Sequence, residues 1–525
     1  MRFAVVVAVG LGVSSAAFAT NVSGTLAGNT TWDVAGSPWN LTGDVTVPAG
    51  VTLTIQAGAS VTYANGDSLA SGADTTRVEL IVNGDLQVQG TAASRVSITQ
   101  GNGYGLRSLS TATISYATVS GGQYGVVSSG SGTNLSGTTV QSSSRCLWVT
   151  GGITVFDSGT LSGCTYAVYA QGGTTTVSNS LVTASGSAAS FIPAMNLGAA
   201  ATLSQNTITG NAYEAVYVPS FTGAVTLQNN VITSNGSYGL EFASLSNPAR
   251  TVDHNDVWGQ GTNLINVAGG TGAVSANPLF VGGGNYRVTE NSPARFAGSA
   301  GGDLGAFPYA GDPTLGLLGT LYTDKVLAGA NTVTGDLTIA TGVTLTLSAG
   351  ASLSYSNGDV MGSGADATKV ELIVNGTLTS SGTQASPVSV SQGNGYGIRQ
   401  NGAATLDYTT VSGGTYGIVS FGTTSANNCA VSGSSRCLYT TGGTLTFNNG
   451  TLSACTYALY AAGGTSNLSS DLVTTSGSAA SFIPALYLGA AASLRHDTIT
   501  GNAYEAVYVP SFTGSVTIQD DVVTG

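Results

Sequence analysis

Charge is scarce in this chain of 525 residues: Lys, Arg, Asp and Glu together make up 7% of it. Only 13 residues are basic against 25 acidic, the net charge is -12, and no Lys/Arg cluster could neutralise a run of phosphates. Nucleic acid is therefore not an expected partner. The two histidines, His254 and His496, are not flanked by glycine, and no zinc-type His/Cys spacing, Gly-x-Ser-x-Gly elbow or phosphate-binding loop occurs. Apolar residues nowhere keep a 3.6-residue spacing for long, so helices are largely excluded. Beyond the N-terminus no apolar run approaches the roughly 20 residues needed to span a membrane. Proline is also sparse, 12 residues beside 76 glycines, and with 42% hydrophobic residues the composition is that of a folded, turn-rich chain.

Residues 1–19 have the form of an export signal, with Arg2 as the positive charge, Phe3 to Val13 as the apolar stretch and Ala17-Phe18-Ala19 before a cut at Thr20. The expected location is extracellular, either secreted or at the cell surface. The rest of the chain is duplicated. "GDVTVPAGVTLTIQAGASVTYANGD" from Gly43 returns as "GDLTIATGVTLTLSAGASLSYSNGD" from Gly335, and "SGSAASFIPA" at Ser185 returns at Ser476. The fourteen letters "GNAYEAVYVPSFTG" from Gly210 are identical from Gly501, each copy carrying one glutamate, Glu214 or Glu505.

A shorter period runs inside each copy. Its apolar markers are Val119, Val140, Leu161, Val182, Ile208, Ile232 and Val257 in the first, separated by 21, 21, 21, 26, 24 and 25 residues. The second gives Val411, Val431, Leu452, Val473, Ile499 and Val523, separated by 20, 21, 21, 26 and 24. Between markers lie short Thr-, Val-, Ile- and Tyr-rich runs broken by Gly, Asn and Ser. A strand-turn period of 20–26 residues suits the coil of an all-β, right-handed parallel β-helix, each coil pairing with the next at about 4.8 Å.

The segment "TWDVAGSPWNLTGDVTVPAGVTLTIQAGASVTY" with "LIVNGDLQVQGTAASRVSIT" resembles the opening coils of bacterial secreted β-helix proteins of the pectate-lyase-like superfamily. "NPLFVGGGNYRVTENSPARFAGSAGGDLGAFPYAG", Asn277 to Gly311, resembles the tail that closes such helices. The resemblance implies a first unit over 20–311 and a second over 312–525, the latter lacking a tail and so expected to be truncated. It leaves activity open, because the superfamily holds pectate lyases, polygalacturonases, adhesins and passive surface proteins.

Candidate chemistry follows from coil position. Two residues before the marker, Asn206, Asn230 and Asn255 are expected to stack as an amide ladder. In the second copy this position is acidic, with Asp471, Asp497 and Asp521. Two readings stand for these carboxylates: a hydrated acidic edge, or a site sharing calcium as cofactor. Where the first copy has Ser204-Gln205-Asn206 the second has Arg495-His496-Asp497, and His496 should neighbour Asp520 on the next coil. Arg495, His496, Asp497 and Asp520 are thus the candidate acid-base group. His254, beside Asp253 and Asp256, is the first copy's counterpart.

Tyr104, Tyr124, Tyr396 and Tyr416, set among glycines in "GNGYG", "GGQYG" and "GGTYG", are candidate sugar-stacking residues. Glu214 is expected at a turn corner. Cys146 and Cys164, like Cys437 and Cys455, are 18 residues apart, three short of a coil. An extended path would leave their α-carbons about 10 Å apart, too far to bond, whereas a tight turn would bring them within reach. Cys429 has no counterpart and is expected to be a free thiol. The expected function is a secreted or surface scaffold of adhesin type, with extracellular polysaccharide or matrix as partner. The alternative is a polysaccharide lyase or glycoside hydrolase working at the acidic edge.

Overall fold

The structure, a computed structural model, describes residues 19–221, 223–244 and 250–524. All but the last residue of the expected export signal lie outside these. The described chain contains strands and turns, and no helix in it is long and apolar enough to cross a membrane.

Each coil is three short strands joined at corners. One runs from Ile153–Asp157 through Thr160–Ser162 to Tyr166–Ala170, and the chain then climbs to Thr174–Ser178 on the next coil. Strands pair in parallel from coil to coil, and the register is that of the sequence period. Val119, Val140, Leu161, Val182, Ile208, Ile232 and Val257 are successive partners, as are Val411, Val431, Leu452, Val473, Ile499 and Val523. From Val119 to Ile232 and from Val411 to Ile499 these side chains are fully buried. Burying a side chain of this size stabilises by about 1.5–3 kcal/mol relative to exposure.

Two compact units result. One runs to Ala273 and includes Leu304–Ala306; the other comprises Val274–Asp303 and everything from Phe307. The division therefore falls upstream of residue 311. Residues after Val274 pack with the second unit because Ala276, Leu318 and Met361 form one small apolar cluster.

The corners explain the polar ladders. At the first corner a residue takes a left-handed conformation, as at Gln205, Asn229 and His254, or Ser470, His496 and Asp520, with φ between 47° and 62°. Short polar side chains tolerate this region better than bulky ones. The residue after it turns into the core. Asn206 accepts from Ser180 N, donates to Val177 O at 2.8 Å and to Asn230 Oδ1 at 3.0 Å; Asn230 donates in turn to Asn255 Oδ1 at 2.9 Å. The amide ladder is thus internal to the wall. A second one, not apparent from sequence, occupies the next corner, where Asn211 donates to Asn235 Oδ1 at 2.8 Å.

That second corner also settles the cysteines. The tight turns at Ser142 and Gly163, both left-handed, bring the Cys146 and Cys164 α-carbons to 5.8 Å, and a disulfide joins them. Cys437 and Cys455, at 5.9 Å, are joined in the same way. Cys429 is a buried free thiol at the first corner, taking the place of Thr138.

Candidate glycan-facing surface

The acidic position of the second unit differs from expectation. Asp471, Asp497 and Asp521 do stack, but as a replacement for the asparagine ladder, with Asp471 and Asp497 buried and Asp521 half-buried. Asp471 accepts from Gly450 N at 2.6 Å and Ser469 N at 2.9 Å, and Asp497 accepts from Asp471 N at 2.8 Å and Arg495 N at 3.1 Å. Asp521 repeats the pattern with Asp497 N and Gln519 N. Asp471 and Asp497 are 2% and 1% exposed, so the hydrated-edge reading does not hold for them. The donor set does not fit calcium either: backbone N–H groups already occupy the carboxylates, and no group of three acidic, His or Cys side chains placed to hold a metal occurs among the described residues. Burial raises Asp471 to about 7 and Asp497 to about 6.

His496 and Asp520 meet as expected, at 3.7 Å, both on the exposed side of the corner. Asp497 turns inward beside them, and Arg495 is held by Ser493 Oγ at 3.2 Å along the neighbouring strand. The four candidate residues therefore do not converge on one cleft. His254 pairs with Asp253 at 2.9 Å at the corresponding corner.

The tyrosines lead to a larger feature. On the third strand of each coil two consecutive residues face inward, so the residues on either side of them, three apart in sequence, both face out. Pairing carries these positions from coil to coil as two parallel columns. In the first unit one column passes through Tyr124, Arg145 and Tyr166, and the other through Trp148, Tyr169, Asn196, Tyr217 and Glu241. In the second unit Tyr416, Arg436 and Tyr457 stand beside Tyr439, Tyr460, Tyr487 and Tyr508.

The expected tyrosines head these columns. Tyr104 and Tyr124 are edge-to-face at 4.9 Å, as are Tyr396 and Tyr416. Sequence reasoning missed the rings on the later coils. Tyr439–Tyr460, Tyr460–Tyr487 and Tyr487–Tyr508 ring centroids are 5.5, 4.4 and 5.8 Å apart. The signal that could have found them is the aromatic three residues after Arg145, Tyr166, Arg436 and Tyr457, recurring at the coil period.

In each unit one arginine of this surface stands among four rings. The Arg145 guanidinium lies 4.4–6.0 Å from the rings of Tyr124, Trp148, Tyr166 and Tyr169. Arg436 lies 4.4–5.9 Å from Tyr416, Tyr439, Tyr457 and Tyr460. Such contacts stabilise by about 0.5–2 kcal/mol each when partly desolvated. Both Nε atoms are buried without a hydrogen-bond partner, and neither arginine has an ion pair among the described residues.

Glu214 belongs to the same face. It is buried under the next coil, hydrogen-bonded to Glu241, and desolvation together with that second carboxyl raises it to about 8. It stands at the coil position of Tyr238, as expected, but shielded rather than at an open corner.

Residues 106–286 match the family model described as a right handed beta helix region. This stretch is a right-handed β-helix. The match covers the later coils of the first unit, whose aromatic columns lie on the outside of the β-helix. Comparison with curated proteins finds no match. Among solved structures the chain is similar to AlyGC, a PL6 family alginate lyase, at 10% identity and TM-score 0.22, over 95% of this chain and 96% of that one. It is also similar to a mutant of AlyGC at 9% identity and TM-score 0.21, over 92% and 100%. At these TM-scores the likeness carries no argument about activity.

Proposed function

We propose that this protein is an exported β-helix scaffold that binds extracellular polysaccharide along its aromatic columns. The observation that carries the reading is the four-ring series Tyr439, Tyr460, Tyr487 and Tyr508, one ring per coil on the outside of the second unit. Coils repeat at about 4.8 Å, close to the length of one pyranose in an extended glycan, so successive rings meet successive sugars. The tyrosine hydroxyls along the column donate and accept, and so suit the hydroxyls of a sugar, while the outer ring edges offer apolar contact. The N-terminal signal and the two disulfides support export to an oxidising compartment.

A second reading, polysaccharide cleavage, is favoured by the Glu214–Glu241 carboxyl pair on the same face, which holds a proton to a higher pH than an ordinary carboxyl. One experiment separates the readings. The purified protein is run in affinity gels containing hydroxyethylcellulose, polygalacturonate or alginate, and each polymer is assayed for chain shortening with calcium and with chelator. Retardation without shortening supports the scaffold, shortening supports the enzyme, and neither result in any polymer overturns both.

A further inference from the structure

The widest spacing between the periodic markers, 26 residues, occurs once in each copy, and the structure shows what the additional residues build. Between Ser185 and Ala194 the chain leaves the coil in a small hairpin, closed by reciprocal Ser187–Ile192 backbone hydrogen bonds of 2.9 Å. Ser478 and Ile483 close the same hairpin in the second unit. The tip residues are Ala, Ala, Ser and then Phe.

Phe191 and Phe482 are each 73% exposed, and each has a left-handed backbone, φ 54° and 55°. For a bulky side chain this is a strained conformation that glycine would adopt freely. Exposure gives the ring no burial to offset the strain, and the same pair of unfavourable features is present in both units. Strain maintained at an exposed site points to use of the side chain.

The ring is not isolated from the aromatic surface. Phe191 meets Tyr213 edge-on at 5.6 Å, and Tyr213 meets Tyr238 at 5.6 Å, on the coil that carries Glu241. Phe482 meets Tyr504 at 5.7 Å in the second unit. With small residues around it, the ring offers far less area than the roughly 800 Å² per partner of a stable protein interface. It matches the face of one sugar ring.

We infer that Phe191 and Phe482 are sugar-stacking residues standing beside the columns, each holding one pyranose of the bound glycan at its edge. This assignment rests on the glycan-binding reading of the columns. Its test compares Phe191→Ala/Phe482→Ala with Phe191→Gly/Phe482→Gly, using melting temperature and affinity-gel retardation by whichever of the three polymers retards the wild type. Both variants are expected to lose retardation at least threefold, with the glycine pair melting higher than the alanine pair because it relieves the left-handed strain. Phe→Trp at both sites is expected to restore retardation. Unchanged retardation in both variants, with the wild type still retarded, overturns the phenylalanine assignment alone. A wild type that no polymer retards overturns it together with the glycan-binding reading.

Discussion

Tyr460 and Tyr487, on adjacent coils, lie face to face with ring centroids 4.4 Å apart and planes 5° from parallel. A ring held flat against its neighbour has little freedom left to lose, so a glycan bound along the column, as proposed, would cost little side-chain ordering. Tyr460→Ala removes an interior ring and its two column contacts, each worth about 0.5–1.5 kcal/mol beyond burial. Glycan affinity is expected to fall about tenfold, while the backbone ladder keeps the coil folded. Affinity electrophoresis and circular dichroism on the same sample check this.

The aspartate ladder gives the second unit a pH dependence that the asparagine ladder of the first does not share. Burial raises Asp471 to about 7 and Asp497 to about 6, above their ordinary value of 3.8. The folded protein thus keeps protons that the unfolded chain has released, and stability declines as pH rises from about 4 to 7. Asp471→Asn/Asp497→Asn replaces both carboxyls by amides of the kind that stack at Asn206 and Asn230. It is expected to raise the melting temperature at pH 8 and change it little at pH 4, measured by calorimetry across that range.

Calcium removal provides a separate test of the same corner. The ladder carboxylates take backbone N–H donors rather than a cation, so excess chelator at pH 7 is expected to leave the melting temperature within 1–2 °C, in roughly the range where ΔΔG stays below 1 kcal/mol. A larger drop would show that a cation contributes to the fold.

Glu214 is expected to weaken the first unit under alkaline conditions. Its proton is held to about pH 8 by burial and the Glu241 carboxyl, so the stability it contributes when protonated is lost progressively as pH rises from about 4.5 to 8. Glu214→Gln, which keeps a donor toward Glu241, is expected to melt higher than wild type at pH 9 and close to it at pH 4.

The cysteines predict a thiol count. Each disulfide closes a loop of about the length for which chain entropy gives roughly 3 kcal/mol, so reduction is expected to lower the melting temperature. Cys429 is buried and its thiol is pushed up to about 11 by that burial. Native protein should therefore show no thiol reactive toward a disulfide reagent, and one after unfolding without reductant.

Much of this molecule was legible before folding was considered. The duplication, the coil period and the pairing of Val182 with Ile208 across 26 residues come from the sequence, because parallel stacking turns an interval along the chain into contact between coils. The four tyrosines beside glycines stand at the head of the aromatic columns, which continue over later coils. Trp148 and Tyr169, like Tyr460 and Tyr487, are a full coil or more apart, so they are linked only by position within the coil and not by neighbouring letters.

The order of residues along the chain is thus enough to set the repeating coil and the coil level of each residue. Direction, inward or outward, was settled by folding in three dimensions. His496 and Asp497 are neighbours in sequence, yet the left-handed backbone at His496 sends one side chain to solvent and the next into the wall. The same physics places Glu214 against Glu241 and closes Cys146 on Cys164. A corner turns on the dihedral angles of one or two residues, and those angles, rather than the spacing of letters, set what each side chain meets.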